Sequence, residues 1–281
     1  MEKMLIVDGM NLLFQMFYGM PAQILNRQGR AIQGTIGFVG ALLRMIRMVK
    51  PGYVLVVFDG ESHNPRKDLD ENYKANRPDY KDLDENEIPF SQLPDIYAAL
   101  DYLGICHKET ADCEADDWIA GYVRQHSHRF FITVASQDSD FFQLIGDAVH
   151  VLRYRGDSTV VCDRTWLMNK YGIRPEQYAA FKAMTGDSAD NIRGVDRVGP
   201  KTAAWLLQTY CTLEGIIENA EQISKPAIRK SVMESLGRLE KNMELICLSG
   251  CCCLPFEPQQ LRWEYKGQTS YQTLSAIHLY E

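Results

Sequence analysis

An α/β fold, with a central mostly parallel sheet flanked by helices and a helical region after it, is the architecture this sequence predicts. Three observations carry it. Short β-branched or aromatic apolar runs recur at residues 4–7 (MLIV), 53–58 (YVLVVF) and 129–136 (RFFITVAS). Helix-periodic stretches at 36–49, 93–104 and 115–126 lie between and around them, and strands alternating with helices imply parallel pairing through crossovers. From about residue 175 the strands give way to short helical segments separated by glycine turns.

Taken in order, each strand-like run is short enough to be a fully buried strand, and a further run at 149–154 (VHVLRY) extends the sheet. Residues 1–174 are expected to form the α/β core and 175–281 a helical region with a C-terminal extension. The stretch 60–92 is long, polar and poor in periodicity, which fits a surface loop or an element that orders on binding.

The 281 residues are 46% hydrophobic and 24% charged, an ordinary globular balance. The N-terminal apolar run is cut off by Asp8, and no stretch approaches the roughly 18 apolar residues of a membrane span, so a cytoplasmic protein is expected. Eight cysteines are scattered or crowded at 247–253, without paired CxxC motifs, and are expected to be thiols. A net charge of −7 argues against a nucleic-acid partner unless the negative charge is concentrated at a metal site.

The acids are placed in a way that makes that exception matter. Asp8 and Asp59 directly follow the first two strands, and Asp138 and Asp140 follow the third. In an open parallel sheet ligands sit beyond the carboxyl ends of the strands, so these four can meet at one edge. Glu114, Asp116 and Asp117 open the helix at 115–126, and Asp187 and Asp190 lie in TGDSADNIRGV. Each has a plain alternative: Asp-Gly turns at 8–9 and 59–60, complements to a helix N-terminus at 114–117, loop acids, or helix caps. One arrangement covers all nine, a shared cleft in which hard divalent cations relieve the repulsion. Magnesium suits such a site, with manganese as a substitute. Two ions about 3.5–4 Å apart would clamp the attacking and leaving oxygens of a phosphodiester displacement.

Positive charge accompanies the acids. Arg66, Tyr73, Lys74 and Arg77 form a mixture suited to gripping phosphates and stacking a base, although such runs are also common on solvated faces. Lys182, Arg193, Arg197 and Lys201 flank a glycine turn, GVDRVGPKT, whose helix start offers N–H groups to phosphate. Gly194 to Thr202 nearly spells a P-loop. Pro200 intervenes between Gly199 and Lys201, however, and no apolar strand precedes Gly194.

Strings in the sequence also match a known family in order and spacing: LIVDGMNLLF, VVFDG, YKANRP, EADD, SQDSDFFQL and TGDSADNIRGVDRVGPKTA. From residue 4 to about 255 the chain resembles the bacterial and phage 5′-nucleases, flap endonucleases and the 5′–3′ exonuclease domain of DNA polymerase I, in their stand-alone form. The resemblance implies a PIN-like 5′-nuclease core and a helix–hairpin–helix region. It implies one metal subsite around Asp8, Asp59, Glu114, Asp116 and Asp117, and a second around Asp138, Asp140, Asp187 and Asp190. It further implies that 60–92 is a helical arch passing a single-stranded 5′ end, with Lys74, Arg77 and Asp116 catalytic and Arg66 and Tyr73 assisting at the DNA. Lys182, Gly194, Gly199, Lys201 and Thr202 would contact duplex, with a potassium ion at the turn. Gln15 stands where the family usually carries an arginine.

The expected activity is a Mg²⁺-dependent, structure-selective 5′ nuclease acting as a monomer on flapped, branched or 5′-ended DNA, RNA-primed ends included, in replication and repair. Two alternatives remain at this stage: a ribonuclease of the same acidic-cleft class, and a DNA-junction-binding protein with an impaired metal site. Calcium loops of the DxDxDG type are absent.

Overall fold

A computed structural model of the chain describes residues 1–60, 64–78, 80, 83–248, 250 and 253–281. In chain order the elements are β1 (Glu2–Asp8), α1 (Gly9–Gly19), α2 (Gln33–Val49), β2 (Tyr53–Phe58), α3 (Pro65–Leu69), α4 (Leu93–Leu103), β3 (Cys106–Glu109), α5 (Ala115–His126), β4 (Phe130–Ala135), β5 (Val149–Arg153) and β6 (Val160–Cys162). Then follow α6 (Arg164–Tyr171), α7 (Tyr178–Thr185), α8 (Pro200–Tyr210), α9 (Leu213–Glu218), α10 (Pro226–Met233), α11 (Leu236–Ile246) and α12 (Ser270–Ala276).

The strands form one sheet in the order β3-β2-β1-β4-β5-β6, parallel except for the β5–β6 edge. The strand order reverses between β1 and β4, which is where doubly wound sheets open a crevice at their carboxyl edge. Strand alternation explains why these runs are apolar throughout. Met4, Ile6, Leu55 and Val57 face one core layer with α5, while Leu5, Val7, Val54 and Val56 face the other with α1, α2 and α4.

The first layer does not stop at the sheet. It continues from Ile132 and Val134 through Phe142, Ile173, Tyr178 and Met184 to Leu207, Leu239 and Leu245, so α7, α8 and α11 share one apolar core with β1 and β4. The end of the chain returns to the opposite layer, where Trp263, Leu274 and Leu279 pack with α2 and α4. Trp263 Nε1 donates to the Leu103 carbonyl at 2.8 Å. The helical region and the C-terminal extension are thus on different sides of the sheet. Among the described residues no helix is long and apolar enough to cross a membrane.

Part of the expected helical arch at 60–92 falls on described residues. Residues 61–63, 79, 81 and 82 lie outside the described ones. The rest holds the short helix α3, a run of turns at 71–76 and tight 3₁₀ turns at Glu85–Glu87 and Pro89–Gln92. Part of it is packed against the body rather than standing free: Tyr73 is 4% exposed and Arg66 8%.

Candidate active site

β1 ends at the sheet's reversal point, and there Asp8 does two jobs. Its carboxylate caps α1 by accepting from the Asn11 amide at 3.0 Å and accepts from Ser136 Oγ at 2.8 Å. Ser136 Oγ in turn accepts from the Asp138 amide at 2.9 Å, and Asp138 accepts from the Asp140 amide at 2.8 Å. The loop after β4 is therefore folded so that its acids turn toward β1. Asn11 braces the same loop through its side-chain oxygen, 2.8 Å from the Gln137 amide.

Asp59, just past β2, accepts from the Ala115 amide at 2.8 Å. An acid from one strand end thus caps the helix that carries Asp116 and fixes the start of α5 over the sheet edge. Gly60 beside it must be glycine, because a Cβ there would overlap the Thr110 carbonyl oxygen.

Burial and neighbouring charge act together on these acids. Burial and then the neighbouring charges of Asp59 and Asp138 push Asp8 up from 3.8 to about 7. Asp116 is raised well above the ordinary carboxylate range by burial and by Asp138, Asp8 and Asp59. Asp59 is raised by burial, with Glu114 adding to it. Burial and like charge both favour the neutral form of such carboxyls.

A second group lies alongside. One oxygen from each of Asp140, Asp187 and Asp190 falls within 4.8 Å of the others. Burial pushes Asp140 to about 7 despite the opposing effect of Lys182, and Asp138 and Asp190 add to the rise, which ties the two groups together. The loop holding Asp187 and Asp190 is pinned by paired backbone bonds between Asp187 and Ile192, at 2.8 and 2.7 Å. Gly186 opens it with φ +78°, and a Cβ there would come within 2.5 Å of the Gly194 nitrogen.

The basic residues divide into those that turn inward and those that face the cleft. Arg66 is buried: Nη1 reaches Glu114 and Asp117 at 2.7 Å each, Nη2 reaches Asp117 at 2.9 Å and Nε the Leu245 carbonyl at 3.0 Å. Both oxygens of Asp117 are therefore spent on Arg66, and the structure does not bring Asp117 into the acid cluster expected of it. Glu114 accepts from Arg66, Lys74, Asn64 and the Tyr73 hydroxyl. Burial alone would raise it, but Lys74 and Arg66 hold it below the usual range. Tyr73 packs in the core with its hydroxyl 3.2 Å from Glu114, so its ring is not presented for base stacking. Lys182 is also buried, paired to Asp140 and Asp187, and not on a surface that duplex could touch. In each case a cation or hydroxyl expected at DNA instead offsets buried carboxylates.

Lys74 and Arg77 stand at the junction of the two acid groups. Lys74 adopts φ 57°, its amide donates to the Asp190 carbonyl at 3.0 Å, and its ammonium pairs with Glu114. Arg77 is exposed and reaches Asp190 at 3.1 Å. Asn76 and Asn191 complete the docking of this segment onto the Asp187–Ile192 loop, at 2.8 and 2.9 Å.

Sequence reading passes over the side chains that position the acids. Ser136, Asn11, Thr110 and Asn64 all lie beside the motifs, and only their close spacing from an acid or an Asp-Gly turn hints at their part. Gln15 donates to the Tyr154 carbonyl at 2.7 Å, next to Gln137, which donates to the same oxygen at 2.8 Å. It braces the loop after β5 rather than facing the cleft.

The glycine turn joins α7 to α8. Gly199 precedes Pro200 at the start of α8, with Lys201 exposed and Thr202 half-buried in its first turn. Gly194 is clasped by backbone: a Cβ would meet the Gly186 nitrogen and the Met184 carbonyl oxygen at 2.5 Å each. No strand leads into this turn, so the P-loop context is absent here as well.

Among the described residues the cleft offers a donor set of carboxylate oxygens from Asp8, Asp59, Asp116, Asp138, Asp140, Asp187 and Asp190, without histidine or thiolate. That chemistry fits hard divalent cations that keep part of their water shell. Burial, with like charge added to it, raises Asp8, Asp59, Asp116, Asp140 and Asp190, and such cations would favour their charged forms.

The chain matches the family described as "5′-3′ exonuclease, N-terminal resolvase-like domain" over residues 3–172 and "5′-3′ exonuclease, C-terminal SAM fold" over 173–269. It is 32% identical over 245 residues to the thermostable DNA polymerase I of Thermus aquaticus, matching 86% of this chain and 28% of that protein. The chain therefore spans under a third of the length of such polymerases. It is 30% identical over 244 residues to a 5′-3′ exonuclease of Aquifex aeolicus, matching 86% of this chain and 82% of that one. In structure it resembles the bacteriophage T5 flap endonuclease, solved as a pseudo-enzyme-product complex with DNA and metal ions. The TM-score is 0.73 at 22% identity over 88% of this chain and 89% of that one, a likeness of fold. The chain belongs to the 5′-3′ exonuclease family.

Proposed function

We propose that this chain is a divalent-metal-dependent, structure-selective 5′ nuclease that hydrolyses phosphodiester bonds of DNA at flaps, branches and 5′ ends. The observation that carries the reading is the gathering of these acids at the sheet's reversal point: Asp8, Asp138 and Asp140 joined through Ser136, Asp59 capping the helix of Asp116, and Asp140 grouped with Asp187 and Asp190. Two magnesium ions, or manganese in their place, would supply an activated water and stabilise the leaving oxygen. Asp116, on the firmly capped start of α5, lies among Asp8, Asp59 and Asp138 and is suited to orient that water through its carboxylate.

Lys74 and Arg77 supply the positive charge at the lip of the cleft, and both can turn from Glu114 and Asp190 to a scissile phosphate. Gly199 and Lys201 are exposed at the start of α8, which supports non-specific contact with duplex phosphates there, while Gly194 and Thr202, whose amide donates to the Gly199 carbonyl at 3.0 Å, shape the turn. For potassium at the glycine turn there is no comparable support, since the Arg193 and Gly194 carbonyls accept from Asn242 and Arg238. The work so described belongs to replication and repair, carried out by a monomer in the cytoplasm on DNA ends that include RNA-primed ones.

The test is incubation with a labelled 5′-flap duplex, with and without Mg²⁺, and sizing of the products. Cleavage near the flap junction that needs the ion is expected. Indifference to flaps with cleavage of single-stranded RNA, or junction binding without any cleavage, would overturn the reading.

A further inference from the structure

Lys182 is 7% exposed, and its ammonium pairs with Asp140 and with Asp187, two of the three acids whose oxygens lie within 4.8 Å of one another. It comes from the last turn of α7, which packs on α11, and Asn242 of α11 holds the end of α7 through the Ala183 carbonyl at 2.9 Å. The ammonium is thus anchored by its own helix and cannot leave as a free ion would. A fixed positive charge inside a carboxylate cluster does two opposed things. It offsets repulsion when no metal is bound, and it repels a divalent ion that enters.

We propose that Lys182 is a positioning residue, a tethered counter-ion that holds down the affinity of the Asp140–Asp187–Asp190 group for a divalent cation. The ion is then retained only when a substrate phosphate supplies further oxygen ligands. Lys74 is nearly as buried, but its ammonium pairs with Glu114, and among the described residues no cation forms an ion pair with Asp8, Asp59 or Asp116 themselves. The two groups should therefore fill in order, the second one last. The proposal rests on the reading that these acids bind divalent ions.

The experiment is a titration of the full chain with Mn²⁺ alone, followed by paramagnetic resonance and calorimetry, for the wild type, Lys182→Met and Lys182→Arg. Wild type should show one tight and one weak site. Lys182→Met should tighten the weak site about tenfold or more, as removal of a nearby like charge requires, and Lys182→Arg should stay close to wild type. In the presence of an uncleavable phosphorothioate flap the difference between wild type and Lys182→Met should shrink. If Lys182→Met does not fold without metal, Mn²⁺ should restore it, because the ion replaces the lost charge. An unchanged or weakened second site in Lys182→Met, or failure of Mn²⁺ to restore it, overturns the proposal. A wild type that binds no Mn²⁺ overturns the metal reading itself.

Discussion

Arg66 closes on Asp117 with both terminal nitrogens, 2.7 and 2.9 Å from the two carboxylate oxygens, and ties α3 to α5 inside the protein. An acid so engaged has both oxygens turned to the guanidinium, away from the cleft. Asp117→Asn should leave Mn²⁺ titration unchanged, whereas Asp116→Asn should weaken it. Arg66→Met leaves Asp117 buried without its partner and should cost about 3–5 kcal/mol in urea unfolding.

Asp116→Ala removes the carboxylate at the centre of the first group while leaving the surface cations in place. Cleavage of a 5′ flap should fall on the order of 10²-fold or more, with flap affinity little changed. Single-turnover kinetics alongside a gel-shift titration separates the two effects. Equal loss of binding and cleavage would assign Asp116 to the fold.

Stability should depend on pH in a sense opposite to ordinary acid denaturation. Asp8 and Asp140 titrate at about 7 in the folded chain, against 3.8 ordinarily, so over that interval the folded state holds more protons. Their contribution is full below about 4 and is lost as pH rises through about 7. Glu114 and Asp187 are held low, chiefly by Lys74 and Lys182 against burial, and act the other way, losing theirs as pH falls through the acid range. Urea midpoints in chelator should therefore decline between about pH 4 and 7, less steeply in Asp8→Asn, and added Mg²⁺ should restore the loss at about pH 7 and above.

Gly194→Ala places a methyl group against the Gly186 nitrogen and the Met184 carbonyl oxygen, neither of which can give way. A loss of roughly 1–3 kcal/mol is expected, with weaker metal binding because the Asp187–Asp190 loop shifts. Gly199→Ala, with no atom within 4 Å of the new carbon, is the matched control and should melt as wild type does.

Lys201 is exposed in the first turn of α8, where it can meet a phosphate. Lys201→Ala should weaken binding about equally for all duplex sequences and lower the slope of log affinity against log salt by about 1. A change in sequence preference instead would point to base readout.

Much of this is legible in the sequence, for physical reasons. β1, β2 and β4 are buried on both faces, so their residues are apolar throughout and stand out, and an acid just past each strand marks the sheet's carboxyl edge. β3, reading CHKE, escapes because an edge strand that is half-exposed carries no apolar run. Arg66, Tyr73 and Lys182 read as DNA contacts because their charge or ring is visible in the sequence while their burial is not. A positive charge near acids looks the same in sequence whether it awaits a phosphate or already answers a carboxylate. Asp117 is misplaced for a related reason, since adjacent positions on a helix lie about 100° apart and cannot both aim at one cleft.

The apolar layer running unbroken from β1 and β4 into α7, α8 and α11 has a mechanical consequence. Among the described residues one continuous core joins the sheet to the helices that carry the glycine turn, which favours their moving as one body. Whatever reaches both surfaces at once must supply the curvature itself. On the proposed reading, duplex with a nick or branch bends cheaply whereas an intact rod resists by several kcal/mol, and such a body would sort its partners by flexibility.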